Sequence, residues 1–282
     1  MVKMGTVWDR AVEVINGRTG MLASIAALTL WLPTVVRQAI GVAVVGGNGT
    51  AATPPTSGTL LLLFLLSLVT AALAILGQLA LIAVASDPAT TRAEAFRVAA
   101  TRLPLAIGLS LLLALVVFAL LVPGLVPVVA VLAHPGAMSQ QAMATAMAGI
   151  SPGSRAFMGL YILLLVAVMI WLTARLVLLN PVIVNEREGV ASFARSFALT
   201  RGLTWKIIGL AILLLIVAAV VVLAVQSVTG ILFRLLLGAD NAGLVALLTT
   251  AAVAVATSAI TIVWTCFVAQ LYVAVRRTSA AG

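Results

Sequence analysis

Arg175 is a charged residue within a long apolar stretch of the chain. A charge in such a stretch is rare and usually faces protein, water or a partner. It precedes Asn185, at the inner end of the stretch, by ten residues, which is about 15 Å along a helix and predicts a position near mid-membrane or in the inner half. Trp171 lies one helical turn earlier, so the spacing predicts a cation–π contact worth about 0.5–2 kcal/mol.

Three amide side chains are predicted at a similar depth. Asn180 is in the same apolar stretch as Arg175, and Gln78 and Gln270 are in the second and the sixth. If they converge with Arg175 and Trp171, they form a polar pocket suited to an anion such as a lipid phosphate. A basic rim would surround this pocket, formed by Arg102, Arg195 and Arg201. Two other roles for Arg175 stay open, because it could instead bond to helix carbonyls and hold the bundle together, or extend toward lipid headgroups.

Enzymatic chemistry has little support in the residue inventory. The chain has one His, one Cys and seven acidic residues, and its apolar stretches hold neither paired acids nor a His-rich centre of the kind that proton transfer or a catalytic metal needs. The single Cys266 permits neither an intrachain disulfide nor a thiolate metal cluster. We therefore predict a protein that is not an enzyme and that uses no cofactor or metal.

The elements that must position these residues are membrane helices. Hydrophobic residues make up 63% of the 282-residue chain and charged residues 8%, against roughly 45–50% and about 25% in soluble domains. A membrane helix needs about 20 apolar residues. Six runs meet that need, at about 20–45, 59–85, 104–132, 156–184, 204–236 and 244–275. These runs predict an all-α polytopic membrane protein in which residues 1–282 form a single transmembrane domain.

The basic residues indicate the orientation. Twelve of the sixteen Lys and Arg residues fall on one side of the predicted spans: Lys3, Arg10, Arg18, Arg92, Arg97, Arg102, Arg187, Arg195, Arg201, Lys206, Arg276 and Arg277. Three fall on the other side, Arg37, Arg155 and Arg234, where loops 46–58 and 133–154 are sparsely charged. The positive-inside rule therefore predicts that both termini are cytoplasmic. The net charge of +9 then indicates topology and attraction to anionic lipid rather than to nucleic acid.

A basic amphipathic segment precedes each outgoing span, at about 5–18, 88–103 and 186–203. The third is the clearest, because its apolar residues recur at helical spacing. These residues are Val190, Phe193, Ala194, Phe197 and Ala198. The pattern predicts three membrane hairpins, each introduced by an interfacial helix on the cytoplasmic side.

From Arg175 onward the sequence reads RLVLLNPVIVNEREGVASFARSFALTRGLTWKIIGL. It resembles the signature of the glycerophosphoryl diester phosphodiesterase membrane-domain family and of the related YciC-like bacterial membrane proteins. The matching positions are Arg175, Pro181, Glu186, Arg195, Ser196, Leu199, Thr200, Arg201 and Gly202. The resemblance implies a six-span module of the bacterial inner membrane. It does not imply phosphodiesterase activity, because the separate catalytic barrel of those enzymes has no counterpart here.

We therefore expect a non-enzymatic inner-membrane protein that binds membrane lipids or partner membrane proteins, as a scaffold or assembly factor of a membrane complex. The alternative is a transporter or lipid translocator with an anion-binding pocket around Arg175. The sixth span is rich in Ala, Thr and Ser, which favours either a central packing helix or a contact with another protein.

Overall fold

The computed structural model describes residues 3–45, 56–132, 151–186 and 189–280, and within those ranges the chain is helical with no strands. The α-helices are α1 (Met4–Ala26), α2 (Leu32–Val45), α3 (Ser57–Ser86), α4 (Arg92–Leu132), α5 (Pro152–Leu176), α6 (Leu179–Glu186), α7 (Ala191–Leu199), α8 (Thr204–Leu237) and α9 (Ala242–Ala280). A π-helical segment, Ala27–Trp31, joins α1 to α2. Arg187 and most of the predicted loops 46–58 and 133–154 lie outside the described residues.

Six helical segments of the described chain are long and apolar enough to cross a membrane: Met4–Val44, Ser57–Ser86, Arg92–Gly124, Pro152–Glu186, Thr204–Leu237 and Ala242–Thr278. They follow the order of the six predicted spans, so the predicted fold class is confirmed. At one end of the bundle Arg10, Arg18 and Arg277 line a common cavity. We call this the basic end; the opposite end is the far end.

The three predicted interfacial segments have different structures. The first is continuous with its span but kinks at Arg18, whose φ of −136° and ψ of 21° are not helical. The second forms the opening turns of α4, which runs through Pro104 as one helix of 41 residues. Only the third, α7, is a separate helix among the described residues. An amphipathic segment therefore precedes each of these three spans, but the three segments differ in whether they are continuous with the span that follows.

Helix α7 buries two serines as well as the apolar Leu199. Ser192 and Ser196 are fully buried against the protein, whereas Val190, Ala194 and Ala198 are exposed. An interfacial helix with an apolar outward face can lay that face on acyl chains. The polar inward face, in turn, finds hydrogen-bond partners in the bundle.

The buried residues form one cluster, and it lies toward the basic end. Its largest members include Leu22, Ile25, Leu81, Ile183 and Tyr272. Toward the far end α3, α4, α5 and α8 are mostly exposed, whereas α2 and α9 stay mostly half-buried; the only buried residues of α8 are Thr204 and Ile207. The bundle is therefore packed in one half and open to its surroundings in the other.

Helix α9 packs against α1, α2, α3 and α8. Its buried run, from Thr265 to Tyr272, is interrupted only by the half-buried Gln270. The small residues that suggested two roles lie earlier in the helix, between Thr249 and Thr261, where Ala254 and Ser258 are buried but Thr257 and Ala259 are exposed, so both roles stay open. The turn from α8 to α9 uses Gly238 at φ 79°, a conformation that other residues adopt with strain.

The first span makes a close approach to α3 at Gly77, through the π-helical segment that follows α1. A Cβ atom on Gly77 would overlap the Oγ1 and Cβ atoms of Thr29, so this crossing requires glycine. Thr29 is in the π-helical segment. Pro33 explains this segment, because it has no N–H to give to the Thr29 carbonyl, four residues earlier, and its ring crowds that oxygen. Trp31, in the same segment, donates its indole N–H to the Ala251 carbonyl at 3.0 Å.

Candidate functional site

The guanidinium of Arg175 lies at the end of α5 against a pair of aromatic rings, Trp171 and Phe197, whose centroids are 5.7 Å apart. Its Cζ is 5.5 Å from the centroid of the Trp171 ring and 5.8 Å from that of Phe197. Nη1 donates a hydrogen bond to the Phe197 carbonyl at 3.1 Å. Arg175 is half-buried, and it therefore attaches α5 to α7 through its charge and its planar face.

The attachment also runs in the opposite direction. Ser196 of α7 donates its hydroxyl hydrogen bond to the Arg175 carbonyl at 2.8 Å. The hydroxyl of Thr200 lies 3.4 Å from the same oxygen but donates at 2.9 Å to the Ser196 carbonyl. Because α5 ends at Leu176, the Arg175 carbonyl belongs to a last turn without intrahelical donors. The buried hydroxyl of Ser196 supplies one.

Two residues separate α5 from α6, at Val177 and Leu178. Pro181 accounts for this interruption, because it has no N–H to give to the Val177 carbonyl and its ring crowds that oxygen. Asn180 therefore lies one residue into α6, directly after the break.

Gln78 and Asn180 are brought together. Both line a cavity of about 370 Å³ that lies between α3, α6, α8 and α9 and that also includes Thr261, Trp264 and Thr265. Arg175 and Gln270 are not among its lining residues. The five residues that were predicted to form one polar cluster are therefore separated: Gln78 and Asn180 share this cavity, and the others do not line it.

Gln270 bonds to the end of α3, away from this cavity. Its Nε2 donates to the Ala85 carbonyl at 2.6 Å, within the last turn of α3. Arg18, at the kink of α1, reaches the carbonyls of Val84, Asp87 and Thr90 at 3.3–3.4 Å. Cations and side-chain donors at a helix C-terminus bond to its free carbonyls and favour its dipole. No sequence pattern marked Arg18 for this role.

The three arginines considered as a basic rim also differ. Arg195 forms an ion pair with Glu186 at 2.8 Å, and the second oxygen of Glu186 accepts a hydrogen bond from the buried Tyr272 at 2.8 Å. Arg102 is half-buried and Arg201 is exposed; neither side chain has a hydrogen bond or ion pair to the described part of the chain. The link from Glu186 to Tyr272 joins segments 86 residues apart, and no sequence signal pointed to it.

The residues of the quoted motif therefore gather where α5, α6, α7 and α8 meet. Arg175, Glu186, Arg195 and Ser196 provide the contacts described above, and Gly202, at φ 82°, makes the turn into α8. These side chains position the interfacial helix. Within the described ranges, no group of three or more His, Cys, Asp or Glu side chains could hold a metal ion.

Comparisons of the chain with protein-family models, with curated proteins and with solved structures found no match. The resemblance of residues 175–202 to the YciC-like membrane modules stays a prediction.

Proposed function

We propose that this chain is a non-enzymatic scaffold of the bacterial inner membrane that binds lipids and partner membrane proteins. The observation that carries the proposal is the division of its helices into a packed half at the basic end and an exposed half at the far end. A packed half gives a scaffold a fixed shape. An exposed apolar half gives lipids and other membrane helices a surface to contact.

The basic end supports the lipid part of the proposal. Trp205 is 84% exposed and Val190 66% exposed, and Lys206 follows Trp205 directly. Exposed aromatic and basic residues at helix ends are typical of the interface between membrane and water. With the basic end in the cytoplasm, as the charge bias predicts, these residues would face anionic headgroups.

The far end supports the partner part. Leu160 and Leu163 on α5, and Leu235 and Leu236 on α8, each expose two thirds or more of their surface. Lipid tails satisfy such side chains, and so do the helices of another membrane protein. The amount of exposed helix surface is the reason for proposing both kinds of contact.

A transporter or lipid translocator is the second candidate, and one observation favours it. The interruption between α5 and α6 borders the cavity at Gln78 and Asn180, and broken membrane helices often line transport sites. Arg175, in contrast, donates to the Phe197 carbonyl and does not line this cavity. The version with an anion pocket around Arg175 rests instead on its buried Nε, which has no hydrogen-bond partner among the described residues.

Native mass spectrometry of the full chain, extracted from its own membrane in mild detergent and separately in nanodiscs, tests the proposal. We expect stoichiometric binding of a second membrane protein or of anionic lipid. A Trp205→Ala/Lys206→Ala variant should retain less anionic lipid, while the matched far-end variant Arg234→Ala should retain as much as the wild type. A bare monomer under both extractions would overturn the proposal. Solute uptake by reconstituted vesicles would favour the transporter.

Reporter fusions test the orientation. A reporter that is active only in the cytoplasm should be active at both termini. Activity of a reporter that functions only outside the membrane, at either terminus, would show the opposite orientation.

A further inference from the structure

Two cavities share a wall in the membrane-spanning region. The first, of about 370 Å³, contains Gln78 and Asn180. The second, of about 230 Å³, lies between α5, α8 and α9. Val177, Ala211, Leu215 and Trp264 line both cavities. The volume of the first is within the usual range of small-molecule sites, about 300–1,000 Å³.

The first cavity contains polar side chains without partners. Thr265 is 5% exposed and lines the cavity, yet its hydroxyl makes no hydrogen bond to any residue that the structure describes. Gln78 and Asn180 are half-buried and likewise have no side-chain hydrogen bond within the described ranges. Buried polar groups without partners are costly, so such groups indicate a missing ligand or water.

The hydroxyl of Thr265 differs from those of several other threonines in the spans, and it shares the lack of a partner with Thr249 on the same helix. Thr257 and Thr261, on the same helix, each donate to the carbonyl four residues earlier, at 3.0 and 2.8 Å. Thr29 and Thr173 do the same on their own helices. A threonine in a membrane helix thus has a partner available in its own backbone, and Thr265 instead faces the cavity.

The charge of the two cavities limits what they can hold. No Asp, Glu, Lys, Arg or His side chain lines either of them. A charged headgroup without a counterion is strongly disfavoured in such surroundings. The second cavity is almost wholly apolar; the hydroxyl of Thr173 is bonded to its own helix. An uncharged polar group therefore fits the first cavity and a hydrocarbon chain fits the second.

The depth of the first cavity in the membrane also favours an uncharged group. Gln78 precedes Ser86, the last residue of α3, by eight residues, which is about 12 Å along a helix. The hydrocarbon core of a bilayer is about 30 Å thick, so the cavity lies well below the level of lipid phosphates. A small neutral headgroup can reach this depth, whereas the phosphate of a phospholipid cannot without losing its water.

We propose that the two cavities form one binding site for a neutral, hydroxyl-bearing membrane lipid, with its hydroxyl and ester groups at Gln78, Asn180 and Thr265 and an acyl chain in the apolar cavity. This inference rests on the lipid-binding part of the proposed function. The break after α5 adds to the polar lining, since Pro181 offers no N–H to the Val177 carbonyl.

The test uses the purified full chain in phosphatidylcholine nanodiscs. Three photoreactive probes are compared: a diacylglycerol, the phosphatidic acid with the same acyl chains, and a polyprenol. Cross-linked peptides are located by mass spectrometry. We expect the diacylglycerol to label peptides within 76–83, 177–182 and 260–268, and unlabelled diacylglycerol to compete. Equal competition by the polyprenol would assign the site to hydroxyl-headed lipids generally, within the same proposal.

Two variants test whether the polar side chains bind the lipid. Thr265→Val keeps the shape of the side chain and removes the hydroxyl, and Asn180→Leu removes an amide on another helix. Each should raise the diacylglycerol concentration at half-saturation by about three- to tenfold, the usual effect of losing one hydrogen bond. Thr257→Val, whose hydroxyl bonds to its own helix, is the matched control and should change nothing. Gel filtration and thermal stability verify that each variant is folded.

Two results would overturn the inference. One is labelling of the same peptides by phosphatidic acid as strongly as by diacylglycerol, and the other is labelling that neither saturates nor responds to Thr265→Val and Asn180→Leu. If either occurs while native mass spectrometry still finds bound anionic lipid or a partner protein, this inference fails and the proposed function stands.

Discussion

Replacing Arg175 by leucine should release α7 from the end of α5. The guanidinium bonds to the Phe197 carbonyl at 3.1 Å and lies over the rings of Trp171 and Phe197. Leucine keeps a similar apolar volume but supplies no donor and no charge. Two attachments would remain: the hydrogen bond that Ser196 donates to the backbone carbonyl of residue 175, and the contact between the rings of Trp171 and Phe197.

The size of the effect follows from these contacts. A hydrogen bond to a charged group contributes about 1.5–3 kcal/mol, and a cation–π contact of a partly exposed cation contributes about 0.5–1 kcal/mol. Part of this is offset, because leucine avoids the cost of keeping a charge half-buried. We expect a net loss of about 2 kcal/mol of docking free energy, which is roughly a 30-fold change in the docking equilibrium.

Hydrogen exchange of the backbone amides in 191–199, measured by mass spectrometry in nanodiscs, reports that equilibrium. Exchange in Arg175→Leu should be faster by about 10- to 100-fold. Arg175→Lys should show a smaller increase, because lysine keeps the charge but lacks the planar guanidinium. Arg234→Leu, at an exposed arginine near the far end of α8, should leave this exchange unchanged.

Exchange in Arg175→Leu within about threefold of the wild type would refute the docking role. If the variant then also lost bound anionic lipid, Arg175 would act on lipid instead. An equal acceleration in Arg234→Leu would show that loss of any arginine loosens α7, and the specific contacts would not be the cause.

Three further predictions concern the packed half. Gly77→Ala should lower stability by about 1–3 kcal/mol through the clash between α3 and α1, whereas Gly108→Ala, with open space around it, should not; thermal unfolding compares them, and equal midpoints would contradict the close crossing. Glu186→Gln and Tyr272→Phe should be coupled by about 1 kcal/mol in a double-mutant cycle of unfolding free energies, and strict additivity would mean that their hydrogen bond does not form. Cys266, which is 0% exposed, should react with a membrane-permeant maleimide only after unfolding; rapid labelling of the folded protein would contradict its burial.

The breaks in the helices were partly predictable. Proline removes a backbone donor wherever it stands, so the interruption before Pro181 agrees with the local sequence. Pro104 is a counterexample, because α4 continues through it. Neighbouring helices and local adjustments can compensate for a missing donor in a membrane helix. Whether a proline breaks a helix thus depends on what packs around it.

The site residues show the same division. The helical spacing of Trp171 and Arg175 was enough to place them on one face. It could not show that Phe197 would bind the guanidinium, or that Gln78 and Asn180 would share a cavity from which Arg175 and Gln270 are absent. These contacts join different helices, and no local pattern encodes the rotation of one helix against another.

The sequence alone determined the six apolar helices and their order, because the transfer of about 20 apolar residues into lipid is a local property that hydropathy measures directly. Only the tertiary structure decided which faces of those helices meet protein. Lipid tails are as apolar as buried side chains, so an apolar face has no preference between the two that a pattern could reveal. That is why α7 turns Ser192 and Ser196 inward and Val190 outward, since the hydroxyls, unlike the apolar side chains, need partners that only the bundle supplies.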